Sequence, residues 1–238
     1  VTDEFTEFNL RKGFPIQNPF ILSSKMVLDS WLQLLQQYRA IAIIRSSQIE
    51  LGYSMAKAVA QGGMRLIEIT WNSDRAGNLI SQLRSQLPNR IIGTGTILTV
   101  DQLKDAISCG IQFCFTPHVD CKLIETAIAF DIPIVAGALT PTEIVTAWQA
   151  GASCVKVFPV DAVGGVGYIK SLQGPLKEIP LIPTGGVTLE DTSQYIAAGA
   201  IAVGLAGQLF PKHLLDARNW DAIAHQAKTL QEKLLKEI

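Results

Sequence analysis

The sequence predicts an α/β fold: a (β/α)8 TIM barrel with an extra N-terminal helix. Three observations predict it. Eight short runs rich in Ile, Val, Phe or Thr alternate with longer segments whose apolar residues fall at helical spacing. The runs are apolar on both faces, as strands of a parallel sheet covered by helices must be. Glycine recurs at the end of one helical segment after another, a few residues before the next run. A count of eight favours closure into a barrel, with an open doubly wound sheet as the alternative. After the first run stands Ile44-Arg45-Ser46-Ser47 rather than G-x-G-x-x-G, which weakens a dinucleotide-binding sheet.

Residues 1–25 mix Phe, Pro, Asn and charged residues without a period. They lack the basic stretch and apolar core of a secretory signal. They read as a non-native extension ahead of a start at Met26, or as an arm packed on a neighbouring subunit. Residues 26–238 form the single barrel domain. Its first helix carries Leu28, Trp31, Leu32, Leu34 and Leu35 near one face, with Asp29 or Ser30 as N-cap. Strands follow at 40–45, 65–70, 91–96, 111–116, 132–137, 153–158, 181–185 and 200–205, with helices such as 51–61, 77–87, 101–108 and 142–150 between them. The joints Gln61-Gly62-Gly63, Ser108-Cys109-Gly110, Gln149-Ala150-Gly151 and Ala197-Ala198-Gly199 place a glycine where a left-handed turn ends a helix. Gly164-Gly165-Val166-Gly167, after strand six, reads as a close approach to substrate or a flexible turn. It lacks the Gly-Lys-Ser/Thr ending of a nucleotide loop.

Composition narrows the function. The 238 residues are 48% hydrophobic and 17% charged, enough to bury a large core. Twenty Lys and Arg against 21 Asp and Glu leave a net charge of -1, so no general basic field exists to hold a nucleic acid. No apolar run approaches the ~20 residues of a membrane span. Cys109, Cys114, Cys121 and Cys154 show no C-x-x-C pairing and read as reduced thiols of a cytoplasmic protein. With His118, His213 and His225 they form no metal-ligand pattern.

Two strands carry charge where their own pattern asks for apolar residues. Side chains alternate across a strand, so in Ser153-Cys154-Val155-Lys156-Val157-Phe158 the valines face the helices and Lys156 points into the barrel. The same parity in Arg65-Leu66-Ile67-Glu68-Ile69-Thr70 turns Glu68 inward. Buried charges are costly unless paired or used. One reading is a structural salt bridge. The other is Schiff-base chemistry, in which desolvation leaves Lys156 a neutral amine able to attack a carbonyl and Glu68 moves protons. Arg45 shares parity with Ile41 and Ile43 and reaches the catalytic rim, where its fork suits a carboxylate or phosphate, or is a solvated rim charge. Thr96 and Pro117 end strands three and four, as pocket floor or as ordinary strand ends.

A phosphate site is expected late in the chain. Pro183-Thr184-Gly185-Gly186-Val187 ends strand seven, and Gly204-Leu205-Ala206-Gly207 continues strand eight. Barrels of this kind place phosphates on those two loops, where exposed backbone N–H groups face the anion.

In order along the chain, Ile67-Glu68-Ile69-Thr70, Gly93-Thr94-Gly95-Thr96, Thr116-Pro117, Val155-Lys156-Val157-Phe158-Pro159 and Pro183-Thr184-Gly185-Gly186-Val187 resemble one family. It is that of the bacterial 2-keto-3-deoxy-6-phosphogluconate (KDPG) and 4-hydroxy-2-oxoglutarate (KHG) aldolases. The resemblance covers roughly residues 38–212. It implies a class I, metal-independent aldolase of the Entner-Doudoroff type, cytoplasmic and usually a homotrimer. Its partner is a small 2-keto acid, usually phosphorylated, and it needs no cofactor beyond the covalent Schiff base. By motif match, Lys156 forms that Schiff base and Glu68 is the general acid/base. Thr96, Pro117 and Phe158 line the pyruvyl pocket, and Thr184, Gly185 and Gly186 match the phosphate-side segment. Two positions depart from the pattern. Asn72 stands where gluconate-type members carry Arg, and Gly207 where a phosphate-binding Ser is common. Asn72-Ser73 together with Ile44-Arg45 is closer to the 2-keto-3-deoxy-6-phosphogalactonate aldolases, with Arg45 as the carboxylate contact and the Gly207 N–H in place of the hydroxyl. The alternatives are another phosphate-binding barrel, such as a sugar-phosphate epimerase or thiamine-phosphate synthase, and a catalytically silent barrel that binds a phosphorylated metabolite.

Overall fold

The computed structural model describes residues 24–236. The expected extension or arm at 1–25 lies almost wholly outside them. Helix α1, Ser24–Tyr38, leads into β1 (Ala40–Ile44), α2 (Ile49–Gln61), β2 (Leu66–Thr70), α3 (Ala76–Gln86) and β3 (Ile91–Gly95). The alternation continues through α4 (Val100–Ser108), β4 (Cys114–Phe115), α5 (Cys121–Ala129), β5 (Ile134–Ala138), α6 (Pro141–Gln149) and β6 (Cys154–Val157). A 3-10 turn, Asp161–Val163, precedes α7 (Gly165–Leu176), β7 (Leu181–Pro183), α8 (Thr192–Ala197) and β8 (Val203–Leu205). Helices α9 (Lys212–Asp216) and α10 (Trp220–Leu235) complete it.

The eight strands form one parallel sheet in the order β7-β6-β5-β4-β3-β2-β1-β8. A parallel bridge between Thr184 and Gly204, with the Ile201 N–H donating to the Leu181 carbonyl at 3.0 Å, joins β7 to β8 and closes the barrel. The open-sheet alternative is thereby set aside. Parity holds around the ring. Ala40, Ala42, Ile44, Ile67, Ile69, Val155 and Val157 pack outward against the helices. Ile41, Ile43, Leu66, Phe113, Phe115, Val135, Cys154 and Ile182 fill the interior. Each Val, Leu, Ile or Phe among them contributes ~1.5–3 kcal/mol when fully buried.

Four sequence expectations shift. Asp29 and Ser30 do not cap α1: the helix begins at Ser24, and both sit exposed within it. It also crosses the expected domain start at Met26. Strands β4, β7 and β8 are shorter than expected. At β8 the Ala200 N–H still donates to Tyr195 and finishes the end of α8, while β7 ends where Gly185 and Gly186 turn at φ of 83° and 88°. Gly164-Gly165-Val166-Gly167 is not a flexible turn. Gly164 caps the helix, Gly165 opens it, and Val166 and Gly167 lie in its first turn. The helix-ending glycines behave as expected, with Gly63, Gly110, Gly151 and Gly199 at φ of 87–101°.

Helix α1 lies across the N-terminal end of the barrel. Trp31 and Leu35 are buried among the interior residues, and the Trp31 ring stacks on Phe113 at a centroid distance of 5.1 Å. Phe113 in turn meets Phe115 edge-on at 5.8 Å. Aromatic layers thus fill the lower barrel and leave the upper end to smaller residues.

Candidate active site

Small residues make the chamber. Toward the C-terminal ends of the strands, glycine occupies the inward face at Gly95, Gly137 and Gly204. A Cβ at Gly204 would stand 2.6 Å from Thr184 Oγ1, and one at Gly137 only 2.3 Å from the Pro117 carbonyl carbon. Glycine in a strand interior commonly marks such close approaches. Into the space enter two long charged side chains. Lys156 from β6 is 7% exposed, and Glu68 from β2 is 1% exposed. Strand parity placed both, and the structure brings them into one site.

They do not make the structural salt bridge. Among the described residues, the ion pairs within 4 Å involve neither group. Glu68 Oε2 is buried without a hydrogen-bond partner. Burial pushes the Glu68 carboxyl above its ordinary range, with the charges of Lys156 and Arg45 pulling the other way. Burial likewise holds the Lys156 ammonium below its ordinary value, opposed by Glu68 and reinforced by Arg45. Both groups are therefore biased toward their neutral forms. Phe158 lies above the lysine, its ring centroid 4.5 Å from Nζ, and the residue is 36% exposed.

Arg45 follows β1 and is exposed at the rim. Its loop is braced from the next one: the Ser46 N–H donates to Ser73 Oγ at 3.1 Å, and Ser73 Oγ lies 3.1 Å from Thr70 Oγ1. Asn72, in the same loop, is exposed. Thr96, just past β3, is half-buried at φ 60°, a left-handed conformation that is uncommon for a residue with a branched Cβ. Pro117 is half-buried, held by Thr116, whose hydroxyl donates to the His118 carbonyl at 2.7 Å and accepts from the Gly137 N–H at 3.2 Å.

Thr184 is buried, and its hydroxyl faces the interior without a partner. Gly185 lies against the Phe158 ring, where a Cβ would come within 2.9 Å, and Gly186 leaves no room for one against Asp161. Both are conformations that glycine alone takes readily. Gly207 is exposed, with open space where a Cβ would be. The expected phosphate-side residues thus lie on the loops after β7 and β8; of the expected pyruvyl residues, Phe158 lies over Lys156, while Thr96 and Pro117 stand just past β3 and β4.

Sequence reasoning missed a cavity of about 260 Å³ beside Phe158, lined also by Pro117, His118, Leu139 and Glu143. Glu143 is fixed there by a capping box: its carboxylate accepts from the Leu139 and Thr140 N–H groups at 2.8 Å each. Those bonds hold its carboxyl below the ordinary range. The Thr140-Pro141-Thr142-Glu143 signature was legible in sequence as a helix start, but not as a pocket wall.

Known proteins fit this geometry. The aldolase family described as KDPG and KHG aldolase matches residues 32–226. The 2-dehydro-3-deoxy-phosphogluconate aldolase of Haemophilus influenzae is 32% identical over 192 residues, spanning 81% of this chain and 91% of that protein. A solved KDPGal structure is 28% identical, covers 83% of this chain and 96% of its own, and superposes with a TM-score of 0.74. The KDPG aldolase of Legionella pneumophila, solved with pyruvate captured as a covalent carbinolamine, shares the fold at a TM-score of 0.78 and 22% identity, over 89% of this chain and 100% of its own. With its parallel eight-stranded barrel and these relatives, the chain belongs to the KDPG and KHG aldolase family.

Proposed function

We propose that the protein is a class I aldolase that cleaves KDPG to pyruvate and glyceraldehyde 3-phosphate, with Lys156 as the Schiff-base residue. The observation that carries the reading is a buried lysine and a buried glutamate facing one chamber without an ion pair between them. A fold needs neither charge there; a carbonyl-trapping reaction needs both. The carbinolamine captured in the Legionella relative is the intermediate this chemistry passes through.

The neutral Nζ of Lys156 adds to the C2 carbonyl, and the carbinolamine loses water to give a protonated imine. Glu68 carries the protons of that step. Its carboxylate then takes the C4 hydroxyl proton, the C3–C4 bond breaks, and the electron pair flows into the imine to form an enamine. Glyceraldehyde 3-phosphate departs. The Glu68 proton goes to C3, water adds at C2, and pyruvate is released as Lys156 is regenerated. The iminium nitrogen supplies the positive charge, so the cycle calls for no metal. Arg45 is assigned to the substrate carboxylate, since neutral Asn72 cannot make a charge-assisted contact. Thr96, Pro117 and Phe158 are assigned to the pyruvyl group. Thr184, Gly185, Gly186 and the Gly207 N–H are assigned to the phosphate end. KHG is a second substrate in this reading, and the working form is a cytoplasmic homotrimer.

Asn72 and Arg45 favour a second reading, the C4 epimer 2-keto-3-deoxy-6-phosphogalactonate, and a KDPGal structure is among the relatives. One experiment separates aldolase from epimerase, synthase or silent barrel. Pyruvate with borohydride should add mass to the peptide that contains Lys156, and labelling that survives Lys156→Ala would overturn the assignment. Pyruvate release from the gluconate, galactonate and 4-hydroxy-2-oxoglutarate substrates then ranks the three.

A further inference from the structure

We propose that Gly95 is a positioning residue for this reaction: its missing side chain is the seat of the Glu68 carboxyl group. The proposal rests on the reading of Glu68 as proton carrier. A Cβ built at Gly95 would stand 1.7 Å from Glu68 Oε1, 2.4 Å from Cδ and 3.1 Å from Cγ. Non-bonded heavy atoms settle at roughly 3.5–4.0 Å, so any other residue at position 95 must drive the carboxyl away by more than an ångström.

Among the described residues, no hydrogen bond or ion pair fixes that carboxyl in place. Its Oε2 is buried and accepts no hydrogen bond. Shape therefore holds it, and the backbone of Gly95 is the wall it lies against. The strand itself does not require glycine there, because Gly95 is not among the residues of positive φ. The atoms in the way are the far end of a flexible side chain, which can swing aside without moving β3.

The same motif contains its own contrast. A Cβ at Gly93 would meet the Phe113 ring at 2.5 Å. That ring is packed between Trp31 and Phe115 and cannot swing. Gly-Thr-Gly thus divides into a glycine that admits a core ring and a glycine that admits a carboxyl group. Thr94 between them faces the other way, its hydroxyl donating to the Ile69 carbonyl at 2.8 Å.

Five variants of the full chain test this: Gly95→Ala, Glu68→Gln, their combination, and Glu68→Asp with and without Gly95→Ala. A catalytic group moved by about 1 Å commonly costs about a hundredfold, so Gly95→Ala should lower kcat to that extent while KM stays within a few-fold. Pyruvate trapping at Lys156 by borohydride should slow in parallel. Because Gly95 acts only through Glu68, Gly95→Ala/Glu68→Gln should turn over no more slowly than Glu68→Gln alone. Should Gly95→Ala fail to fold, Glu68→Asp decides. The shorter acid draws its carboxyl back from the 1.7 Å overlap at Oε1 to about the Cγ position, 3.1 Å from the added methyl, so Gly95→Ala on that background should fold and stay within a few-fold of Glu68→Asp alone. Near-normal kcat in Gly95→Ala overturns the proposal, as does a loss that adds in full to that of Glu68→Gln or Glu68→Asp. Normal turnover in Glu68→Gln removes the reading of Glu68 and the proposal with it.

Discussion

Replacing Phe158 by Leu tests whether the aromatic ring above Lys156 acts on charge or only fills space. The ring centroid is 4.5 Å from Nζ, within the ~6 Å reach of a cation–π contact. Such contacts are worth ~0.5–1 kcal/mol in water and ~2 kcal/mol when desolvated. Lys156 is 7% exposed while Phe158 is 36% exposed, so the pair belongs in the upper part of that range. A contribution of ~1–2 kcal/mol corresponds to roughly a 5- to 30-fold loss, since ~1.4 kcal/mol is tenfold. Leucine keeps the apolar cover and removes the quadrupole. In the proposed cycle the cation is the protonated imine, so a kcat limited by its formation should fall by that factor. The resting ammonium loses the same support, so free amine should appear at lower pH. The rising limb of pyruvate trapping against pH should then move to lower pH in Phe158→Leu. The assay is borohydride trapping followed across the pH range, beside steady-state turnover. Unchanged kcat, or a limb displaced to higher pH, would refute the electrostatic role and leave Phe158 as packing.

Two further outcomes are expected. Gly93→Ala forces a methyl against the Phe113 ring and should destabilise the fold by ~1–3 kcal/mol in urea unfolding, as overpacked cores do. Unchanged stability would mean that the aromatic layers can shift. Arg45→Met should cost roughly tenfold to a hundredfold in kcat/KM, since hydrogen bonds to charged groups contribute ~1.5–3 kcal/mol. The loss should be alike for phosphorylated and unphosphorylated 2-keto acids, because both carry the carboxylate. A loss confined to the phosphorylated ones would make Arg45 a phosphate ligand and reverse the substrate across the barrel mouth.

Parity made the barrel interior legible from sequence. Counting in twos from Val155 and Ile67 is enough to send Lys156 and Glu68 inward, because a dry outer face tolerates no charge. Helix-ending glycines were readable for a similar reason: only one residue type takes that backbone readily. Helix α1 was misjudged at its start because burial of Trp31 and Leu35, not a cap at Asp29 or Ser30, decides where it lies. The flexible-turn reading of Gly164-Gly165 failed because paired glycines signal turns and helix starts alike. Gly95 was visible as a motif member, yet its role depends on where a side chain from a neighbouring strand ends, which no spacing along one strand conveys. The cavity by His118 and Glu143 was hidden for the same reason, since its walls come from β4, β5 and β6 loops distant in sequence.

The stopper formed by α1 makes the barrel a blind vessel. With Trp31 and Leu35 seated on Phe113 and the inner aliphatic layer, one end is shut. In the proposed reaction, a substrate tethered at Lys156 would enter and leave by the same door, past Phe158. Cleavage products would then queue by depth. The aldehyde fragment, nearer the rim loops in that orientation, would leave before water released the three-carbon fragment beneath it. Traffic order in this enzyme would follow from which end of its barrel the first helix closes.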